Sequence, residues 1–210
     1  MRRIVLGLVL LMAAVVAGGY ALVVLPGGDA PPPPRLSGGG GAATGGGVLR
    51  PGAGSFAGYR VHEKYLGVGV RTAVGRTRRV TGTVTVAGGR IIAADLTADM
   101  RALRSDRAQR DQALEGRAIE TARYPRARFT LTGPVRIGAT ARGAAGTLTL
   151  HGRRATIAVS VRGRAAGGRV ELVGSAPIAF RRFAVQPPSV AGLVTVDDHG
   201  LLEFRLVLHR

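Results

Sequence analysis

Apolar and polar residues alternate along most of the chain after Phe56. In the segment IIAADLTADMR, residues 91–101, one face carries Ile92, Ala94, Leu96, Ala98 and Met100. The positions between them are mainly aspartate, threonine and arginine. A period of two with one apolar face is typical of a half-buried strand, so the pattern predicts a strand here.

Further segments repeat this alternation and predict about eight strands in total. They are residues 59–65, 80–86, 126–132, 147–150, 155–162, 169–180 and 201–209. Glycine-rich turns such as AGG and RGRAAGG separate several of them, which indicates an antiparallel sheet. Strands with one apolar face must pack as a sandwich or close into a barrel, and closure removes the sheet edges.

The segment from Ser105 to Glu120 interrupts the alternation. Ser105 is a candidate N-cap for a helix that begins at Asp106, whose carboxylate suits the positive end of the helix dipole. Gly116 is a candidate helix end. Pro125 favours an extended conformation at the residue before it, so the next strand follows directly. We expect a short helix at the rim of the sheet.

The first 25 residues differ from the rest of the chain. Ile4–Leu25 contains no charge and would form a helix about 33 Å long, enough to cross a hydrocarbon core of about 30 Å. Residues 1–25 are therefore predicted to be an N-terminal transmembrane helix, a single-pass anchor in the cell membrane. A cleaved secretory signal and a twin-arginine signal that includes Arg2 and Arg3 are the alternatives. All three place the C-terminal part outside the cytoplasm.

Residues 26–55 are dominated by proline and glycine and carry few large apolar side chains. Such a segment buries too little surface to offset the ordering of its backbone, so it is predicted to be a disordered linker. The predicted folded domain is then residues 56–210.

The formal charge of +18 invites a nucleic-acid interpretation, but the distribution of charge opposes it. The basic residues are arginines except Lys64 and the four histidines, and they are spread over every segment beside only nine aromatic residues, four Tyr and five Phe. Nucleic acid is therefore not an expected partner. A basic surface favours anionic lipid headgroups or anionic envelope polymers.

The sequence shows no catalytic or metal-binding motif, so we expect neither an enzyme nor a cofactor. Cysteine is absent, the four histidines are far apart, and no G-x-S-x-G is present. Asp197–Gly200 is the densest group of potential metal ligands. Because aspartate and glycine suit tight turns, we interpret it as a hairpin turn between the segments VTV and LLEF.

One set of residues resembles a known family. Ser105, Asp106, Arg110 and Asp111 form S-D-x-x-x-R-D, which is followed by Leu114, by Tyr124-Pro125 and by Phe129. This order resembles the YceI-like family of polyisoprenoid-binding, lipocalin-like proteins, as do the segments GYRV, VGRT-VTG, LTLHG and PSV. The resemblance spans about Ser55 to Arg210. It departs at the first strand, where Tyr59 and His62-Glu63 replace the usual aromatic and His-Ser pair, and before Tyr124, where the Phe-Phe-like pair is missing.

The resemblance implies an extended antiparallel eight-stranded lipocalin-like barrel with a short helical insert near its opening. It also implies that the barrel holds a long isoprenoid chain. The predicted apolar lining is Leu96, Met100, Leu114, Ile119, Phe129, Leu131, Ile157, Phe180 and Phe204. Arg110 is a candidate rim contact for a polar headgroup, and the alternative for Arg110-Asp111 is a structural ion pair that holds the helix across the rim.

Our leading interpretation is non-enzymatic binding, sequestration or transport of a polyisoprenoid-like or other long-chain lipid in an extracytoplasmic barrel tethered to the membrane. The alternative is an envelope-interaction module with a filled barrel and a basic face that binds an anionic surface. A third hypothesis is an enzyme that acts on lipid. A homodimer is left open, as is secretion after signal cleavage.

Overall fold

The computed structural model describes residues 30–38, 46–166, 168–189 and 192–210. The predicted anchor, residues 1–25, lies outside the described residues. Among the residues that are described, no helix is both long and apolar enough to cross a membrane.

Strands make up most of the described structure, as the alternation predicts. They are β1 (Gly47–Pro51), β2 (Phe56–Tyr65), β3 (Gly69–Thr77), β4 (Val80–Ala87), β5 (Arg90–Asp99), β6 (Arg126–Leu131), β7 (Val135–Arg136), β8 (Arg142–Leu150), β9 (Arg153–Ala166), β10 (Arg169–Ala179), β11 (Val194–Val196) and β12 (His199–His209). The helical parts are α1 (Ala108–Ala113), a π-turn (Leu114–Ala118) and the 3₁₀ turns Met100–Ala102 and Phe180–Phe183.

The strands close into an antiparallel barrel. The ring runs β1, β4, β5, β6, β8, β9, β10 and β12, and β12 pairs with β1 to complete it. At the other end of the barrel, the sheet continues from β12 to β2 and from β2 to β3. The predicted all-β, eight-stranded barrel with a short helix is confirmed.

β1 lies inside the segment that composition predicts to be linker. Leu49 is buried, and β1 pairs with β4 on one side and β12 on the other. The Ser55 hydroxyl then accepts a hydrogen bond of 2.9 Å from the Val207 amide and so spans the break between β1 and β2. The sheet therefore starts before residue 56. The sequence pattern does not reveal β1, because the alternation covers only residues 48–50 in a glycine-rich segment.

Asp197–Gly200 is not a hairpin turn, so that prediction is wrong. β11 and β12 both run antiparallel to β2, and they pair with successive parts of it. The Asp197 amide donates to the His62 carbonyl at 3.0 Å between these two pairings. Asp197 and Asp198 thus connect two strands that run in the same direction and pair with successive parts of β2.

A β-bulge in β5 reverses the predicted face at its start. The register with β4 shifts between Thr85 and Val86, so that Val86 pairs with Ile91 and Thr85 with Ala93. Ile91 is buried, whereas Ile92, which the alternation places inside, is 49% exposed. A bulge adds one residue and exchanges the two faces, which a strict period of two does not reveal.

The helix begins two residues later than predicted and does not end at Gly116. Its N-cap is Arg107, which makes no side-chain capping bond, and the π-turn carries the coil on to Ala118. The Ser105 hydroxyl accepts from the Arg107 amide at 3.2 Å and donates to Asp111 at 2.7 Å. Ser105 therefore organises the start of the insert through a side-chain turn.

The proline-rich residues 30–38, which we term the strap, lie against the outer wall of the barrel. Arg60 Nη2 donates to the Pro31 carbonyl at 2.6 Å, and Arg76 Nη2 donates to the Pro32 carbonyl at 3.0 Å. Proline has no amide hydrogen, so a proline run offers only acceptors, and the guanidinium groups supply matching donors.

At the other end of the strap, the strap itself supplies the hydrogen-bond donors. The Ser37 amide and hydroxyl donate to the Glu171 carboxylate at 3.0 and 2.8 Å. Arg164 and Arg205 also donate to Glu171, each at 2.8 Å. Burial raises the pKa of Glu171, but these donors outweigh it and hold the pKa below its usual value. Part of the predicted linker is thus seated on the barrel.

The interior divides into two halves. One half, which we call the filled half, is closed by side chains that pack directly against one another: Leu49, Val80, Val84, Val86, Ile91, Val135, Val161, Ala165, Val170, Leu172, Leu206 and Leu208. The other, the open half, is surrounded by a second cluster that includes Met100, Ile119, Leu148, Ile157 and Phe183.

Candidate functional site

The open half encloses a cavity of about 180 Å³ whose wall is almost entirely carbon. Strands β2 to β6 and β8 to β12 contribute to it, together with the helical insert and the segment after β10. The lining residues from the strands include Ala57, Tyr59, Val61, Leu96, Ala98, Ala127, Phe129, Leu148, Leu150, Ile157, Val159, Ile178, Leu202, Phe204 and Leu206. Such a wall excludes charge and accepts hydrocarbon.

The structure brings together eight of the nine side chains predicted from the sequence to line a site. They are Leu96, Met100, Leu114, Ile119, Phe129, Ile157, Phe180 and Phe204. Leu131 does not reach the cavity. It packs against the filled half, because β6 continues past the cavity towards that end of the barrel.

Other lining residues were not predicted. Leu103 lies in the connection before α1, and Val185, Pro187 and Pro188 lie in the segment after the turn Phe180–Phe183. The alternation gives no signal for these residues, since they are outside the strands. Leu148 and Val159 stand at apolar positions of predicted strands, and the alternation could have placed them in the lining.

Three aromatic rings lie along the wall because each faces a glycine. A Cβ on Gly75 would lie 2.3 Å from Tyr59 Cε1, and one on Gly174 would lie 2.5 Å from Phe204 Cζ. A Cβ on Gly146 would similarly lie 2.2 Å from a ring atom of Phe129. Real Cβ atoms do not approach this closely, so the missing side chains let the rings lie flat and leave the centre open.

Tyr59 contributes its ring and not its hydroxyl to the cavity. Burial raises the pKa of Tyr59 above its usual range, so the phenol stays neutral. The hydroxyl is enclosed and has no hydrogen-bond partner within the described part of the chain. A ligand in the cavity therefore meets the apolar ring.

Arg110 is held in an ion pair. Its Nε and Nη2 donate to the two oxygens of Glu63 on β2, at 2.7 and 2.8 Å, and its side chain is only 9% exposed. Nη1 donates to Asp106 and, at 3.2 Å, to Ser105. The pair joins the start of the insert to the barrel wall, which matches the structural alternative for Arg110. Its partner, however, is Glu63, while Asp111 binds Ser105.

The ionisation of Glu63 depends on this arrangement. Burial alone raises the pKa of the Glu63 carboxyl, but hydrogen bonds from Arg110 and from the Tyr65 hydroxyl, at 2.6 Å, outweigh burial. The pKa of Glu63 therefore lies below its usual value, and the pair is ionised at neutral pH. Arg110 has its charge matched in place, so the geometry does not offer it to a ligand headgroup.

His151 joins two segments that border the cavity. Its Nε2 lies 2.8 Å from a Glu120 oxygen and its Nδ1 lies 3.1 Å from the Phe183 carbonyl. Glu120 and His151 have φ of 51° and 50°, which non-glycine residues adopt only under constraint. Glu120 follows the lining residue Ile119, and Phe183 ends the turn Phe180–Phe183. His151 therefore fixes both segments at the same end of the barrel.

No group of three or more candidate metal ligands occurs among the residues described. His199 and Asp198 form a pair at 2.8 Å on the surface, with both side chains largely exposed. The pair lacks the further ligands that a divalent metal requires. The chemistry of the site is therefore that of an apolar receptacle.

Comparisons with known proteins agree with this geometry. A family model for the YceI-like domain matches residues 52–208. A polyisoprenoid binding domain from Saccharophagus degradans, implicated in plant cell wall breakdown, has a similar structure, with 19% identity and a TM-score of 0.61 over 77% of this chain and 97% of that one. BcnA of Burkholderia cenocepacia has 20% identity and a TM-score of 0.58 over 72% and 95%.

The Campylobacter jejuni YceI protein is also similar, with 16% identity and a TM-score of 0.54 over 63% of this chain and 82% of that one. No curated protein matches the chain. At these identities the structural likenesses establish a common fold.

Proposed function

The chain belongs to the YceI-like domain family, and from that premise we propose that its barrel binds one long apolar lipid of the polyisoprenoid type without changing it chemically. The observation that carries the proposal is the cavity of about 180 Å³ with an apolar wall. The name of the Saccharophagus degradans relative, a polyisoprenoid binding domain, supports the same class of ligand.

The driving force is burial of hydrocarbon. Each CH₂ group removed from water contributes about 0.8 kcal/mol, so a five-carbon isoprene unit contributes about 4 kcal/mol before the cost of ordering the chain. The wall offers almost no hydrogen-bond partner, so selectivity inside the cavity follows shape and length. The polar end of the lipid then belongs outside the open half.

We place the barrel outside the cytoplasm, tethered to the cell membrane through residues 1–25. The support is the uncharged run Ile4–Leu25 behind Arg2 and Arg3. Secretion after signal cleavage is the alternative. In either case the barrel would sequester or transport a lipid that is otherwise confined to a bilayer.

The test is to purify the full chain from a membrane-containing host, extract it with organic solvent and identify bound lipid by mass spectrometry. We expect a long-chain lipid in the wild type and a large loss with Ala98→Phe, which fills the cavity. Ala93→Phe is the matched control, since Ala93 is exposed on the same strand.

Two results would overturn the proposal. One is repeated recovery of no lipid together with no uptake of added polyprenol. The other is equal lipid content in the two variants, which would locate the lipid elsewhere. The first result would favour the envelope-interaction module, whose binding to anionic surfaces weakens sharply as salt rises.

A further inference from the structure

The β2–β3 hairpin projects from the barrel as a separate feature, which we term the finger, residues 63–71. β12 pairs with β2 only up to Arg60, and beyond that point the short β11 pairs with Glu63–Tyr65. Tyr65 and Val194 form a small buried cluster apart from the two halves of the interior, with Leu193 packed against it. The finger is thus a built extension with its own packing.

The tip of the finger exposes apolar side chains. Leu66 is 62% exposed, Val68 39% and Val70 52%. Within the described ranges six large apolar residues are exposed, and three of them fall in these five consecutive positions. Single exposed apolar residues are ordinary on protein surfaces, but a cluster at a projecting tip marks an interaction site.

The two charged residues that flank the tip in sequence are both basic. Lys64 and Arg71 flank it and are exposed. Glu63 is the only acidic residue in the finger, and it is buried in its ion pair with Arg110. An apolar tip with a basic collar is the combination that binds an anionic lipid surface: the side chains enter the boundary between headgroups and acyl chains, and the cations meet the headgroups.

The finger stands at the end of the barrel where the cavity lies. Val61, two residues before the finger on β2, lines the cavity. Val196 also lines it, and Val196 belongs to β11, the strand that pairs with the finger. The Arg107 guanidinium, beside α1, lies 5.6 Å from the centre of the Tyr65 ring. Contact between the tip and a bilayer would therefore bring the open half up to the lipid.

We propose that the finger docks the barrel on an anionic bilayer by inserting Leu66, Val68 and Val70, so that lipid passes between membrane and cavity without crossing water. This inference rests on the proposed lipid-binding function and adds the surface through which loading occurs. The partner is the bilayer, and not a second copy of the chain, because the residues that flank the apolar tip, Lys64 and Arg71, are both basic and would repel the same residues of a second copy.

The absence of native cysteine permits a direct test. The full chain carrying Val68→Cys is labelled with an environment-sensitive fluorophore and reconstituted into vesicles of phosphatidylcholine with one-third phosphatidylglycerol. We expect a blue-shifted emission that quencher-labelled lipids reduce. Ile92→Cys is the matched control, since Ile92 is exposed beside the filled half, and its label should report water.

An equally aqueous emission at positions 68 and 92 would overturn the proposal. A blue shift at position 68 that appears without vesicles and grows with protein concentration would also overturn it, because the tip would then be an interface between copies.

Loading kinetics separate this inference from the proposed function. Val68→Asp should slow uptake of a fluorescent polyprenol from vesicles while leaving its uptake from detergent micelles unchanged, and Ile92→Asp should change neither. Wild-type loading from vesicles by Val68→Asp would refute the docking role alone. Failure of the wild type to take up the probe from either source would refute lipid binding itself.

Discussion

Single glycines determine whether the barrel centre is open. Tyr59, Phe129 and Phe204 are large enough to fill the cavity, yet each ring lies against a glycine of a neighbouring strand. Volume therefore depends on the pairing of residues across strands and not on the list of inward residues. A sequence with the same aromatics and alanine at those glycines would fold into a narrower tube.

Gly75→Ala should reduce lipid uptake. The three atoms nearest to the new Cβ would all belong to the Tyr59 side chain, which must swing away from the wall and into the free space. Tyr59→Leu combined with Gly75→Ala should restore uptake, because leucine lacks the far ring atoms. Titration with a fluorescent polyprenol measures both, and uptake by Gly75→Ala equal to that of the wild type would show that the ring moves elsewhere.

Removing Arg110 should destabilise the barrel more than removing an exposed arginine. Arg110→Ala leaves the buried Glu63 without its cation, which costs about 3–5 kcal/mol. Arg128→Ala is the control, because Arg128 and its partner Asp95 are 60% and 42% exposed and such exposed pairs contribute little to stability. Urea unfolding measures both, and equal losses would contradict the structural role of the pair.

The same pair predicts a dependence on pH. The pKa of Glu63 is lower in the folded chain than its usual value of 4.5. Its contribution to stability is therefore complete above about pH 4.5 and is lost as the pH falls through the lower folded pKa. Glu63→Gln should make the unfolding free energy less dependent on pH in this acidic range. An unchanged pH profile would mean that other carboxylates dominate.

For single residues, the sequence predicts which side chains face the interior but not which residues pair with one another. Alternation placed Phe129 and Phe204 on the inner face, which is where they lie. The partner of Arg110 could not be predicted, because Glu63 is distant in sequence and only closure of the barrel brings the two together.

Interruptions within elements account for the main differences from the predicted architecture. β1 and β2 share one edge of β12, and β11 and β12 share one edge of β2. Each interruption contains glycine or aspartate, which sequence rules interpret as the end of a strand or a turn. The neighbouring strand, β12 in one case and β2 in the other, continues across the interruption and pairs on both sides of it. A local sequence pattern cannot show pairing with a strand that is distant in sequence.

β1 should be a structural part of the barrel although its composition resembles a linker. Leu49→Ala removes a 5% exposed side chain from the filled half and should cost about 2–4 kcal/mol. Val48→Ala on the same strand is the control, because Val48 is 53% exposed and should change stability by less than about 0.5 kcal/mol. Equal unfolding midpoints in urea would place β1 outside the cooperative unit.

On the scale of the whole molecule, one end of the barrel is packed with side chains and the other encloses the cavity. Side chains of the filled half pack together at one end, while the insert and the turn Phe180–Phe183 border the cavity at the other. Stability and the volume of the cavity thus depend largely on different layers of the same strands, and the two layers meet at Val80 and Leu206.

The strap should restrict the position of the chain that precedes the barrel. Spin labels at Ala30→Cys and Ile92→Cys should give a narrow distance distribution by pulsed electron paramagnetic resonance. Ser37→Pro removes both donors to Glu171 and should broaden it. Arg35→Ala, an exposed residue of the strap, serves as the control. Broad distributions in all three chains would show that the strap does not hold in solution.

On the proposed anchoring through residues 1–25, the contacts of the strap with the barrel would shorten the tether between membrane and barrel. Only residues 26–29 separate Leu25 from residue 30, so these two residues lie at most about 18 Å apart when the chain is fully extended, whereas a free coil of thirty residues averages about 30 Å end to end. On the proposed anchoring through residues 1–25, a barrel held this close to the membrane would tilt about its attachment point and would not diffuse away from it. The lipid that it binds would then come from the few molecules directly beneath it.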